Sequence, residues 1–280
     1  VACRFARWYD GSTMEATTIE SDISLASAPD PEIEAMLAAG VHIGHSRSRR
    51  HPAMAPFLWG TRSNIDIIDV TRTRQKLAEA LAFLRDAAKK NQLILFVGTR
   101  PSARALLLAT AEELGCPYVN GRWIGGTITN FRMITKRVEI LETLEQEQAS
   151  GAFEKYTKKE RLRKEEEQLR LRQNFDGLRR LRRLPDAMVI IGIGHDDLAL
   201  REAKRMNIPV VALVDTNIDP TAVNYPIPSS DDARSAISYM LERMKAAIRE
   251  GRLAGEAEAS RATGGTEGGS TAQAGATSND

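Results

Sequence analysis

Apolar residues recur along this chain in two periods, and the points where one gives way to the other outline the fold. Ile65-Asp66-Ile67-Ile68-Asp69-Val70 reads as a strand, and Thr71 then caps a helix over about Arg72 to Lys89. Leu93 to Val97 is a continuous apolar run closing on Gly98, the mark of a strand buried on both faces of a parallel sheet. A helix follows over Pro101 to Leu114, then a short strand at Tyr118-Val119. Ala187 to Ile193 and Pro209 to Val214 are two further buried strands, separated by a helix near Asp196 to Met206. Asp231 to Arg249 closes this region as a long amphipathic helix, and Asp30-Pro31 opens a short one to Ala39. Alternating β and α elements predict an α/β fold: a doubly wound parallel sheet with helices on both faces.

One segment leaves that alternation. From about Asn130 to Arg183 there is no strand pattern, only helix formers with apolar residues at helical spacing. Phe131, Ile134, Val138, Leu141 and Leu144 form one narrow stripe. Leu162 and Leu169, then Phe175, Leu178 and Leu181, form another, with Gly151 between the two where the chain would turn. Narrow stripes imply that each helix covers only its partner, so residues 131–183 are predicted to be an antiparallel helical hairpin protruding from a sheet domain of residues 30–130 and 184–250.

The ends carry little. Residues 251–280 are mostly Gly, Ala, Thr and Ser, with Leu253 their one large aliphatic, and are expected to be a disordered tail. Residues 1–29 are expected to be a flexible leader, with translation starting at Met14.

Charge changes the picture more than composition does. The net charge of +2 conceals a gradient: residues 1–40 are acidic, residues 251–280 mildly so, and 41–250 strongly basic. Arg dominates that excess, and its planar fork suits bidentate contact with phosphate. Lys155 to Arg183 alone carries 12 basic and 5 acidic residues. A basic body points to a polyanionic partner, nucleic acid above all. The two cysteines, Cys3 and Cys116, exclude a disulfide framework and a Cys-only zinc site, and fit a reducing compartment. No apolar run approaches the ~20 residues of a membrane helix.

Catalytic motifs fare poorly. Gly192-Ile193-Gly194 ends a buried strand, but the dinucleotide fingerprint needs a third glycine where Asp197 stands. Gly98-Thr99-Arg100-Pro101-Ser102 joins a strand to a helix N-terminus and forms a candidate anion site, and the rival reading is an α/β enzyme holding a phosphorylated small molecule at Gly98 to Arg104. His42 and His45 would share a helix face as metal ligands with Asp215, but Gly44 interrupts that helix, so both are read as structural. Asn120-Gly121-Arg122-Trp123-Ile124-Gly125-Gly126-Thr127 is the most unusual stretch, combining close backbone approach at its glycines with charge and a stacking ring.

Those residues also carry a resemblance. Ala39-Gly40-Val41-His42-Ile43-Gly44-His45, Pro56-Phe57-Leu58-Trp59-Gly60, Ile65 to Val70 and Leu95-Phe96-Val97-Gly98-Thr99 are similar to the bacterial-type small-subunit ribosomal protein S2 family. So, in order, are Val119 to Phe131, Leu184-Pro185-Asp186-Ala187, Ile208 to Pro220 and Tyr225 to Ala233, the whole spanning about residues 32–252. The resemblance implies a parallel-sheet α/β domain with a helical hairpin, no enzymatic activity, and a place on the cytoplasmic ribosome. It implies binding to small-subunit ribosomal RNA and neighbouring ribosomal proteins, including docking of the S1 protein, with no membrane partner. The chain departs from the family at Gly192, where an acid is usual, and at Ser229-Ser230, where Gly-Asn is common. The family brings His45, Asp215 and the acid at position 192 near one another as candidate metal ligands; Gly192 removes one, and no metal or cofactor is expected. The phosphate contacts are assigned to Arg47, Arg49, Arg50, Arg62, Arg72, Arg74, Arg100, Arg104 and Arg122 in the sheet domain. Lys136, Arg137, Lys158, Lys159, Arg161 and Arg163 are assigned the same role on the hairpin.

Overall fold

A computed structural model of the chain describes residues 30–264, so the expectations for the leader and for residues 265–280 lie outside the described residues. A five-stranded parallel sheet is built from β4 (Ile94–Val97), β5 (Tyr118–Val119), β6 (Ala187–Ile191), β7 (Val210–Val214) and β8 (Tyr225–Pro228), in the order β5-β4-β6-β7-β8. Its strands are apolar throughout because each alternates between two cores. Ile94, Phe96, Val189, Ile191, Val211 and Leu213 face one, while Leu95, Val97, Met188, Ile190, Ala212 and Val214 face the other. The first core is covered by α1 (Pro31–Ala38), α2 (Val70–Lys89), α3 (Pro101–Leu114) and α7 (Arg234–Gly264). The second is covered by α6 (Ile193–Arg205), the Trp123–Ile128 loop and the base of the insertion between β5 and β6. The doubly wound reading therefore stands.

A second sheet was not foreseen. β1 (Ile43–Ser46), β2 (Leu58–Arg62) and β3 (Ile65–Ile68) form an antiparallel sheet in the order β1-β3-β2. It sits on the segments that follow β7 and β8: the His51 N–H donates to Thr216 O at 2.8 Å, and the Ser230 N–H to Val41 O at 3.1 Å. Gly44 passes so close to the Thr216 side chain and the Asp66 carbonyl that any Cβ would collide with both. The His42–His45 segment is thus a strand edge rather than a helix, and the predicted strand over 65–70 is shorter. Asp69, not Thr71, caps α2, its Oδ1 accepting the Thr71 N–H at 2.9 Å.

The insertion comprises α4 (Phe131–Ala149), a turn at Gly151 with φ +73°, and α5 (Lys158–Phe175). The two helices are joined by Lys164 to Glu147 at 2.7 Å and Gln168 to Gln148 at 2.8 Å, with the Arg179–Glu145 pair beyond α5. The α4 stripe is buried as read, through Ile134, Val138, Leu141 and Leu144. In the second stripe Phe175, Leu178 and Leu181 are buried as expected, but Leu162 and Leu169 are 57% and 59% exposed, and Leu171 is buried instead. Ile134 to Leu144 belong to the second core, so the base of this helix pair is continuous with the sheet.

α7 also departs from expectation. It runs to Gly264, well past Arg249, where the sequence pattern ended it. Gly251 and Gly255 explain the overrun: each lies against the backbone of α2, at Arg85 and Lys89, where a side chain would not fit. Small residues that cannot build a core of their own pack here by closeness. Arg252 donates to Leu114 O and to Cys116 Sγ, the latter at 3.2 Å.

Candidate nucleic-acid interface

The basic residues assigned to phosphate fall into two groups once their neighbours are known. Arg50 is tied to the buried Asp66 and to Thr61, Arg74 to Asp30, Arg72 to Asp69 at 3.6 Å, and Arg161 to Glu165 at 3.0 Å. Arg104, exposed on α3, donates to Thr99 O at 2.8 Å and Gly121 O at 3.3 Å. Arg100 is the most committed, 12% exposed and bonded to both Asp231 and Asp232. The others, Arg47, Arg49, Arg62, Arg122, Lys136, Arg137, Lys158, Lys159 and Arg163, are exposed and form no ion pair with a carboxylate among the described residues. Their positions differ: the first three flank the small sheet, Arg122 lies on the loop after β5, and the rest are on α4 and α5.

Arg122 is presented by an unusual anchor. Glu202, on α6, accepts from Trp123 Nε1 at 3.1 Å, from the N–H groups of Gly126, Ile128 and Thr129 at 2.8, 3.0 and 3.1 Å, and from Thr129 Oγ1 at 3.1 Å. Burial works to raise its pKa, but these donors outweigh it and hold the carboxyl below the ordinary glutamate range. Gly126 turns with φ +91°, which only glycine adopts cheaply. Trp123 is therefore a buried strut, and its neighbour Arg122 faces solvent. The loop is visible in the sequence but Glu202 is not, because the bonded residues are more than seventy positions apart.

The anion site read at Gly98 to Ser102 is filled from within. Asp196 Oδ2 accepts the Thr99 N–H at 3.1 Å, and burial raises the Asp196 pKa. Beside it, His45 Nδ1 bonds Asp215 Oδ2 at 3.0 Å and His45 Nε2 lies 3.5 Å from Asp232 Oδ2. The hydrogen bond to Asp215 raises the His45 pKa. Burial opposes ionisation of Asp215, yet His45 and the N–H groups of Thr216 and Asp231 keep its pKa low. Asp231 is pushed up to about 7, first by burial and then by the Asp215 charge. Ligand atoms of His45, Asp231 and Asp232 lie within 4.8 Å of one another. A cation there would compete with Arg100, whose guanidinium already bonds both aspartates, so this donor set is neutralised by the chain's own charge and does not suit a metal. No described helix is long and apolar enough to cross a membrane.

Two layers of helices on a parallel sheet, a capping antiparallel sheet, an inserted basic helix pair and a switch-point crevice closed by salt bridges describe a scaffold that presents arginine and lysine outward. A family model described as Ribosomal protein S2, a structural and generally non-enzymatic family, matches residues 36–251. The chain belongs to the ribosomal protein S2 family and is a ribosomal protein of the small subunit.

Proposed function

We propose that the chain holds its place in the small subunit by binding ribosomal RNA through phosphate contacts, and by packing against neighbouring ribosomal proteins, the S1 protein among them where it occurs. The observation that carries this reading is the set of exposed basic side chains in no ion pair among the described residues, spread from Arg47 through Arg122 to Arg163 on separate elements. A dispersed surface of that kind matches folded RNA, which is recognised by shape, phosphate and 2′-OH more than by base sequence. Arg50 serves the fold in this account, since removing it would strand the buried Asp66 carboxylate, and Arg100 serves it by tying Asp231 and Asp232 across the crevice.

Salt titration of binding to small-subunit RNA tests it. Each phosphate neutralised should contribute about 0.7–0.9 to the slope of log K against log salt. Arg122→Ala should lower that slope by about 1, and a Lys158→Ala, Lys159→Ala, Arg163→Ala triple variant by about 3. Co-sedimentation with small subunits should weaken in parallel. Slopes equal to that of the unmodified chain in both variants would refute the phosphate role.

A further inference from the structure

The outer face of the small sheet carries a surface that the fold does not use. Trp59 is 77% exposed, the highest exposure among the large apolar residues described. It is the extra residue of a bulge, since Leu58 pairs with Ile68 and Gly60 with Ile67, leaving Trp59 unmatched on the edge strand β2. Bulges re-aim side chains and recur beside binding sites. Next to it, Gly60 faces open space: a Cβ built there would meet nothing within 4 Å. Ile43 and Ile65, on β1 and β3, are 47% and 43% exposed and share this face with the Arg62 side of β2.

The charge at the hairpin end of this sheet has one sign. The β2–β3 turn at Ser63 and Asn64, with φ +50° and +63°, brings Arg62 back alongside Ile65, and the Arg47 N–H donates to Asn64 O at 2.9 Å. Arg47, Arg49 and Arg62 therefore gather at one end of the sheet, all exposed and none in an ion pair with a carboxylate among the described residues. The one carboxylate in this sheet, Asp66, is buried on the opposite face and bonded to Arg50 and Thr61. An exposed indole beside open space, with Arg62 three residues further along the same edge strand, offers a stacking surface and a phosphate grip together. Single-stranded nucleic acid needs that combination, and a paired RNA stem, whose base faces are hidden, cannot use the ring.

We infer that Trp59 is a stacking platform for an unpaired nucleotide of RNA, with Arg62, Arg47 and Arg49 holding the flanking phosphates. This rests on the RNA-binding reading above and adds to it a second kind of contact, to bases in single-stranded segments. The test measures binding of the full chain to a labelled oligoadenylate strand and to a blunt RNA duplex of equal length. Losing the stack of one base predicts that Trp59→Ala weakens single-strand binding by about tenfold. Trp59→Phe should restore most of it, and duplex binding should change little in either variant. Trp59 is exposed, so both variants should keep the circular dichroism of the unmodified chain. Unchanged single-strand affinity in Trp59→Ala, or equal losses on strand and duplex, would overturn the inference while leaving the phosphate reading intact. Failure of the unmodified chain to bind either RNA would instead remove the reading beneath it. Loss of a neighbouring protein from Trp59→Ala small subunits, with RNA affinities unchanged, would also overturn it and assign the patch to a protein.

Discussion

Glu202 shows how much one side chain organises at the scale of a single residue. Its two carboxylate oxygens satisfy the indole, three backbone N–H groups and a hydroxyl of a loop that otherwise has no regular structure. Glu202→Gln replaces one accepting oxygen with a donor and faces it towards other donors, so it should cost about 2–4 kcal/mol in denaturant unfolding. The linked pH effect has a definite sign. A carboxyl held below its ordinary value stabilises the fold at higher pH, and that stability is lost as pH falls past 4.5 towards the depressed value. Glu202→Gln should therefore unfold with a shallower acid slope than the unmodified chain, and identical slopes would count against this account. The sequence displayed the loop as a cluster of Gly, Arg and Trp that asked for an explanation. Its partner was illegible, because an acid inside an amphipathic helix looks like any solvated glutamate until the fold brings the two together. Trp59 raises the reverse problem: nothing in Pro56 to Gly60 distinguishes an exposed ring from a buried one, and only the bulge decides.

Among elements, the crossing of α2 and α7 sets two local rules against each other. Helix propensity favours Ala over Gly by about 1 kcal/mol, which predicts that Gly251→Ala stabilises the chain. Packing predicts the opposite, since the new Cβ would run into the Arg85 carbonyl and press on Ala88. Overpacking costs about 1–3 kcal/mol, so Gly251→Ala should lower the midpoint of thermal unfolding. A rise would show that the helices separate easily. The same conflict explains why α7 was cut short in the sequence reading: a Gly- and Ala-rich stretch looks unable to bury surface, and it packs only because α2 lies ready to receive it. β4, β6 and β7 were legible as apolar runs because burial on both faces leaves no polar position. β8 was not, since Pro226 and Pro228 argue against a strand unless it lies at a sheet edge, where this one does. β1 and β2 are short, and their polar and apolar residues follow no clean alternation.

For the whole molecule, the decisive arrangement is at the carboxyl ends of the parallel strands. Doubly wound proteins bind ligands there, at the point where the strand order reverses. Here β4 and β6 flank that point, and Asp196, Arg100 and the His45–Asp215–Asp231–Asp232 cluster fill it, with the small sheet laid over the neighbouring strand ends. The filling is sensitive to pH. Asp231 faces Asp215, Asp232, Arg100 and His45, and its raised pKa means that the fold holds it protonated at pH values where the unfolded chain does not. Its contribution is complete below about 3.9, declines as pH rises, and is gone above about 7. Between pH 5 and 8 this amounts to about 2–3 kcal/mol. Asp231→Asn should shrink the difference between urea midpoints at pH 5 and pH 8, and an unchanged difference would assign the effect elsewhere. The fold class could be read from the order of strands and helices, but the closing of the crevice could not, since it depends on residues from five separate segments. Connectivity also puts a clock on assembly. β4 is hydrogen-bonded to β6, yet about ninety residues, the whole helix pair included, are made between Val97 and Ala187. At synthesis rates of about 5–20 residues per second, one of the most apolar strands of the sheet waits roughly 5–20 s for its central neighbour. For that interval a nascent chain exposes a sticky edge, and it is then that chaperone capture or premature aggregation would decide the yield of finished protein.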